Sequence, residues 1–273
     1  MIDADPQRIV DLSVTLSEHL PATWPEHMPF AHKNWSWFEE NELPTGASTC
    51  SLGPYVTHFF ILDEHAGTHV DAPSHYFAPP DSGLANSSAE GELSAEKLDL
   101  SKLIGPSAVV DLRHLDGEAD PGASPAITVA HMEAWEAEHG RFEAGEVVLL
   151  LTGWSRHYVR GEAGKAFLHE PVVLQTRPAW PAPEADVAVF LHERGVATIG
   201  IDAPSIGSAE EGNEVHRAGL SREMAFVEGL TNLDRLPARG ATFVFLPLKI
   251  AVASGAPGRA IALLPQARCS GFG

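Results

Sequence analysis

The sequence predicts an α/β fold with a mixed sheet and flanking helices, on three observations. Six short apolar runs lie at 55–62, 108–112, 147–152, 196–201, 242–246 and 259–264. Most are rich in Val, Ile, Phe or Leu and bounded by Gly, Pro or Asp, as strands are. Two helical stretches fall between them. The order strand, helix, strand therefore occurs twice, first over 108–112, 129–139 and 147–152, then over 147–152, 184–194 and 196–201. That order belongs to layered α/β architectures.

Each element has its own signals. Thr128 can cap a helix over 129–139, and Gly140 can end it. Pro183 suits the first turn of a helix that runs through Arg194 and is ended by Gly195. Val187, Phe190 and Leu191 fall on one face of that helix. Residues 157–183 read as a loop with a few helical turns. Residues 20–54 carry Trp24, Phe30, Trp35, Trp37 and Phe38 among prolines. This aromatic arm is either a local hydrophobic cluster or a wall of an apolar pocket. No internal repeat interrupts the chain, so a single domain over 1–273 is expected.

Composition narrows the function. The chain has 273 residues, 44% of them apolar, enough for a sizeable core. A net charge of -19 would repel phosphate backbones and anionic membranes, so neither nucleic acid nor membrane is an expected partner. Two cysteines, Cys50 and Cys269, exclude a disulfide framework and a Cys-based zinc site. Any transition metal must be held by carboxylates and by some of the 14 histidines. The opening MIDADPQRIV lacks a basic region followed by an apolar stretch. The most apolar stretch, 243–253, is broken by Pro247 and Lys249. A cytoplasmic location is the expectation.

The segment DEHAGTHVDAPSHYF carries His65, His69, Asp71 and His75 within eleven positions. Neutral imidazole and carboxylate are ligands of choice for zinc and manganese. In a straight strand His65 and His69 would stand roughly 13 Å apart, too far to share an ion. In a helix Asp71 would point elsewhere, and Pro73 would break the ladder. The spacing predicts a bend at 66–68, where Gly67 permits unusual dihedrals.

On this string, HxGxHxDxPxH, the chain resembles the cyclase family of metal-dependent hydrolases, which includes bacterial kynurenine formamidase and isatin hydrolase. The resemblance continues at Asp11-Leu12-Ser13, Trp24-Pro25, Gly200-Ile201-Asp202-Ala203-Pro204-Ser205, Glu228-Gly229-Leu230-Thr231-Asn232-Leu233 and Leu246-Pro247-Leu248-Lys249-Ile250. The aromatic stretch and the ending PLKIAVASGAPGRAIALLP look more like the isatin hydrolases than the shorter formamidases.

The resemblance implies a swivelling β/β/α-type domain and a homodimer or higher homo-oligomer. It implies His65, His69 and Asp71 as metal ligands and His75 as the general acid/base. His216 and Glu228 match ligands of a second zinc, bridged by Asp71. Alternatively, beside a single manganese, they hold water and orient the ligands. The expected cofactor is thus one or two Mn2+ or Zn2+ ions. Trp24 matches a residue lining the substrate pocket. Ser205 either touches substrate or a relay water, or simply starts a loop. One departure stands at Gly207, where relatives usually carry Asp.

The expected reaction is hydrolysis of a cyclic amide, an isatin-like lactam opened to its carboxylate. The alternatives are an N-formylkynurenine formamidase, another lactam, imide or lactone hydrolase or a cyclase, and a metal-binding module without activity. No GxSxG elbow, GxGxxG turn or phosphate loop competes. His114, His131, His139, His157, His169 and His192 read as surface or helix residues.

Overall fold

The computed structural model describes residues 6–36 and 55–266. Its strands are β1 (Ile9–Asp11), β2 (Ala31–Ser36), β3 (Thr57–Ile61), β4 (His69–Asp71), β5 (Ile104–Asp111), β6 (Ala126–Ile127), β7 (Val147–Leu151), β8 (Ala182–Pro183), β9 (Thr198–Ile201), β10 (Ala225–Glu228), β11 (Arg239–Pro247) and β12 (Gly255–Leu263). The helices are α1 (Val129–His139), α2 (Ala185–His192) and α3 (Asn213–Leu220), joined by several 3-10 turns and a π turn.

The main sheet runs β1-β12-β11-β5-β7-β9-β10-β4, and β4 also pairs with β12. The sheet therefore closes on itself through seven strands, with β1 attached to the outer end of β12. Strands β5, β7, β9 and β10 run parallel, and every other pairing in the ring is antiparallel. Each parallel step needs a crossover, and α1, α2 and α3 supply them in order.

Strands covered on both faces should read as continuous apolar runs. Strand β7, VVLLL, is buried at every position. Val148 and Leu150 face the helices with Met132, Val187 and Leu220. Val147, Leu149 and Leu151 face the closed interior with Val70, Val227, Phe243 and Phe245. The side-chain period of two along a strand splits one run between two cores.

Five of the six predicted runs fall within this ring or extend it, with β5, β11 and β12 longer than expected. The sixth, 55–62, becomes β3, which pairs with β2 in a separate hairpin. Helix α1 matches its prediction, and His131 completes its cap: Thr128 N–H donates to His131 Nδ1 at 3.0 Å. Helix α2 corrects the prediction at both ends. Pro183 is not in its first turn but in β8, paired with Ile127, and Glu184 N–H still donates to Ile127 O. The extended backbone persists to Glu184, which becomes the N-cap, and the helix ends at His192. Of the aromatic arm, 37–54 lies outside the described residues, with Trp37, Phe38 and Cys50; so does Cys269.

Candidate metal centre and active site

The predicted bend exists. Gly67 takes φ +63°, and its N–H donates to Ala22 O at 2.6 Å. A Cβ here would sit 2.6 Å from Leu16 Cδ2, so both conformation and space call for glycine. The site does not run along one strand: His65 precedes the bend, and after it His69 and Asp71 stand on β4. Positions i and i+2 of a strand share a face. Strand β4 is held between β10 and β12, with His69 opposite Glu228 and Asp71 opposite Gly255. Gly255 leaves room for the His65 ring, since a Cβ there would come within 2.5 Å of His65 Cε1.

The closure of the ring also brings in the distant pair. Glu228 ends β10, and His216 projects from the buried face of α3. Asp71 stands at the centre. Its Oδ1 lies 2.8 Å from His65 Nδ1 and 3.5 Å from His69 Nε2, and its Oδ2 lies 3.4 Å from His216 Nε2. Glu228 reaches His69 Nε2 and His216 Nε2, both at 3.3 Å. Two ligand groups result, His65–His69–Asp71 and Asp71–His216–Glu228, each with its ligand atoms within 4.8 Å of one another. They share Asp71.

The outer nitrogens fix the tautomers. His69 Nδ1–H donates to Gly67 O at 3.0 Å and His216 Nδ1–H to Gly212 O at 2.6 Å, so both present Nε2 inward. His65 is reversed. Ser254 Oγ donates to Glu64 Oε1 at 2.6 Å and accepts from His65 Nε2–H at 3.0 Å, which turns Nδ1 inward. Glu228 Oε1 accepts from Ile206 N–H at 2.6 Å. The loop bearing Ile206 is anchored by buried Asp202, which accepts from Thr152 N–H and Oγ1–H and from Gly153 N–H at 2.6–2.8 Å. Burial pushes the Asp202 carboxyl up to about 6 against those donors.

Asp71 and Glu228 are buried side by side and call for positive charge. Burial opposes the ionisation of Asp71, but the charges of His75 and His65 and hydrogen bonds from His216 and His65 outweigh it, holding the carboxyl well below its usual range. Glu228 is lowered too: burial and the Asp71 charge oppose ionisation, while hydrogen bonds from His216 and His69 prevail. Burial alone would lower both histidines. The carboxylates instead raise His69 to about 9 and His216 to about 10. A divalent cation meets the same demand, and this buried set of imidazoles and carboxylates fits one.

All the predicted site residues line one cavity of about 330 Å³. His75 ends the 3-10 turn Pro73–His75, with its ring 4.0 Å from that of His65. Burial, opposed by Asp71, pushes its pKa down to about 4. Trp24 packs edge-on against buried Trp180, 6.2 Å between ring centroids. Ser205 Oγ lies 3.4 Å from Glu228 Oε1. Sequence reasoning missed Tyr76, which stacks on His216 at 4.6 Å, and Tyr158 and Phe167, which line the cavity. It also missed Glu64 and Ser254. Glu64 adjoins His65 and gave a weak signal; Ser254 lies 190 positions from Glu64 and gave none.

Comparison with known proteins fits this geometry. The family described as "Putative cyclase" matches residues 10–208. An isatin hydrolase of Roseibium aggregatum is 36% identical over 224 residues, 80% of this chain and 78% of its own. A kynurenine formamidase of Erythrobacter litoralis is 30% identical over 246 residues, 89% of this chain and 88% of its own. Among solved structures, isatin hydrolase A from Labrenzia aggregata bound to benzyl benzoate superposes with a TM-score of 0.75 at 27% identity, covering 95% of this chain and 94% of that one. An isatin hydrolase bound to the product analogue thioisatinate gives 0.73 at 26%, covering 94% and 92%. The chain belongs to the "Putative cyclase" family. Within it, the chain is a metal-dependent hydrolase with a His/Asp/Glu site for a divalent ion. Among the described residues, no helix is long and apolar enough to cross a membrane.

Proposed function

We propose that the chain opens an uncharged cyclic amide fused to an aromatic ring, an isatin-like lactam, to its carboxylate. The observation that carries this reading is the cavity wall. Trp24, Tyr76, Tyr158, Phe167 and Leu168 contribute aromatic and aliphatic surface to it beside the ligand groups. Among the described residues no lysine or arginine lines it. A zwitterionic amino acid such as N-formylkynurenine would bring a carboxylate with no lysine or arginine among the described lining residues to receive it. A neutral bicyclic lactam carries no such cost and can stack on the aromatic rings.

His65 Nδ1, His69 Nε2, His216 Nε2, Asp71 and Glu228 would hold two Mn2+ or Zn2+ ions, with Asp71 shared. When bound, such ions supply Lewis-acid polarisation of the amide carbonyl and acidify water at the site. His75 takes the proton of the attacking water and delivers it to the leaving nitrogen as the C–N bond breaks and the new C–O bond forms. Burial favours its neutral, proton-accepting form at the start of that cycle. Tyr76, pushed up to about 12 by burial and by the charges of Asp71 and Glu228, stays protonated and serves as a neutral wall. A homo-oligomer belongs to the same reading: β3 leaves Phe59 and Ile61 exposed on one face and Phe60 on the other, apolar surface suited to a second copy.

The test is an assay of the metal-reconstituted protein against isatin, N-formylkynurenine and small lactams, imides and lactones. Isatin should have the highest kcat/KM. A higher value for N-formylkynurenine would overturn the reading.

A further inference from the structure

Besides the histidines of the two ligand groups and His75, one more imidazole lines the cavity among the described residues. His27 stands at its rim, on the same short turn as Trp24, where His27 N–H donates to Trp24 O at 3.0 Å. Its ring centroid is 6.5 Å from that of His65. The ring does not hang free. His27 Nδ1 lies 3.3 Å from Asp63 Oδ2, while Asp63 Oδ1 accepts from His65 N–H at 2.8 Å and Asp63 O accepts from Ala66 N–H at 3.1 Å. One carboxylate thus ties the rim imidazole to the bend that carries His65.

This tie sets the polarity of the ring. A lone pair on Nδ1 would face the carboxylate oxygen at 3.3 Å, which favours the proton on Nδ1 and leaves Nε2 as the nitrogen that can accept. An amide substrate whose carbonyl lies at the ligand groups has one donor left, its N–H.

We propose that His27, held by Asp63, is a specificity-determining residue that accepts a hydrogen bond from the N–H of the substrate amide. The proposal rests on the amide-hydrolase reading and deepens it. It names the substrate class as secondary amides, cyclic or open, and it disfavours N-alkylated ones. A site that hydrogen-bonds a substrate N–H discriminates against analogues lacking it, because the site's own polar group is left unpaired. His27 is 39% exposed, so water can replace the lost partner, and the discrimination is smaller than in a sealed pocket.

The experiment measures kcat/KM of the metal-loaded protein on isatin and N-methylisatin, and on formanilide and N-methylformanilide. Wild type should favour the N–H member of the pair it hydrolyses by about 10- to 100-fold. His27→Ala should lose that preference, with kcat/KM falling further on the N–H substrate than on the N-methyl substrate and the bound-metal content at the wild-type value. His27→Gln, which offers an amide oxygen, should recover part of it. Equal loss on both members of a pair, or an unchanged preference, would overturn the proposal. Hydrolysis of the formanilides but not the isatins would overturn the lactam reading and still test His27. Hydrolysis of neither pair would overturn both.

Discussion

The two ligand groups of the candidate metal centre, its near and distant halves, are built differently. The near half, His65, His69 and Asp71, comes from one seven-residue stretch, bent at Gly67 and continued into β4. The distant half, His216 and Glu228, comes from α3 and β10 and meets the first only because β4 closes the ring against β10. A local turn makes one half, and the topology of the whole sheet makes the other. Damage to the near half should therefore act locally, while the distant half should respond to whatever seats α3 against its loop.

Asp71 is the residue the halves share, so its loss gives the largest effect. In Asp71→Ala both ion positions should empty, and activity should fall below the ~10⁴-fold loss that removal of a general acid/base alone can cause. Metal analysis after gel filtration checks it, and retention of one ion per chain would show the halves to be independent. His75→Ala comes next. Its ring lies tilted against that of His65 and belongs to neither ligand group. Turnover should drop ~10²- to 10⁴-fold while metal content stays at the wild-type value. A near wild-type rate would remove His75 from the mechanism.

The same contrast explains what could be read from the sequence. The near half was legible because its ligands sit within one string, and Gly67 announced the bend. Strand β4 was not: three residues, HVD, are too short to show a period, and its burial comes from β10 and β12 on either side. Glu228 followed a visible apolar run, yet nothing local indicated that its carboxylate would be buried opposite His69. Only resemblance to the family picked out His216 and Glu228. Pro183 misled for a related reason: a helix-start signal was overridden by pairing with Ile127, a contact made across 56 positions.

Each half also rests on a support outside its ligands. For the near half it is Ser254, which takes the outer nitrogen of His65 while donating to Glu64. Ser254→Ala should weaken the near ion's affinity ~10- to 100-fold, as losses of ligand-orienting hydrogen bonds do, and leave the distant one alone. Competition with a fluorescent chelator resolves the two. An equal loss at both positions would show that the sheet couples them.

For the distant half the support is an absence of side chain. Gly207 packs so closely on the start of α3 that a Cβ would lie 2.5 Å from Gly212 Cα, 2.8 Å from Gly212 O and 3.0 Å from His216 Cε1. Gly212 O is the acceptor that orients His216, and Gly207 O in turn accepts from Trp180 Nε1–H at 2.9 Å, which fixes the loop from its other side. The loop cannot retreat without breaking that bond, so Gly207→Ala must push Gly212 and the His216 ring. The distant ion should bind roughly tenfold more weakly, at the low end for a ligand-orienting contact, and the near ion as before. Two-site calorimetry with Mn2+ or Zn2+ reads both affinities in one experiment. Unchanged binding at the distant position would mean that α3 has room to slide, and that His216 is oriented by its carboxylate partners rather than by the loop.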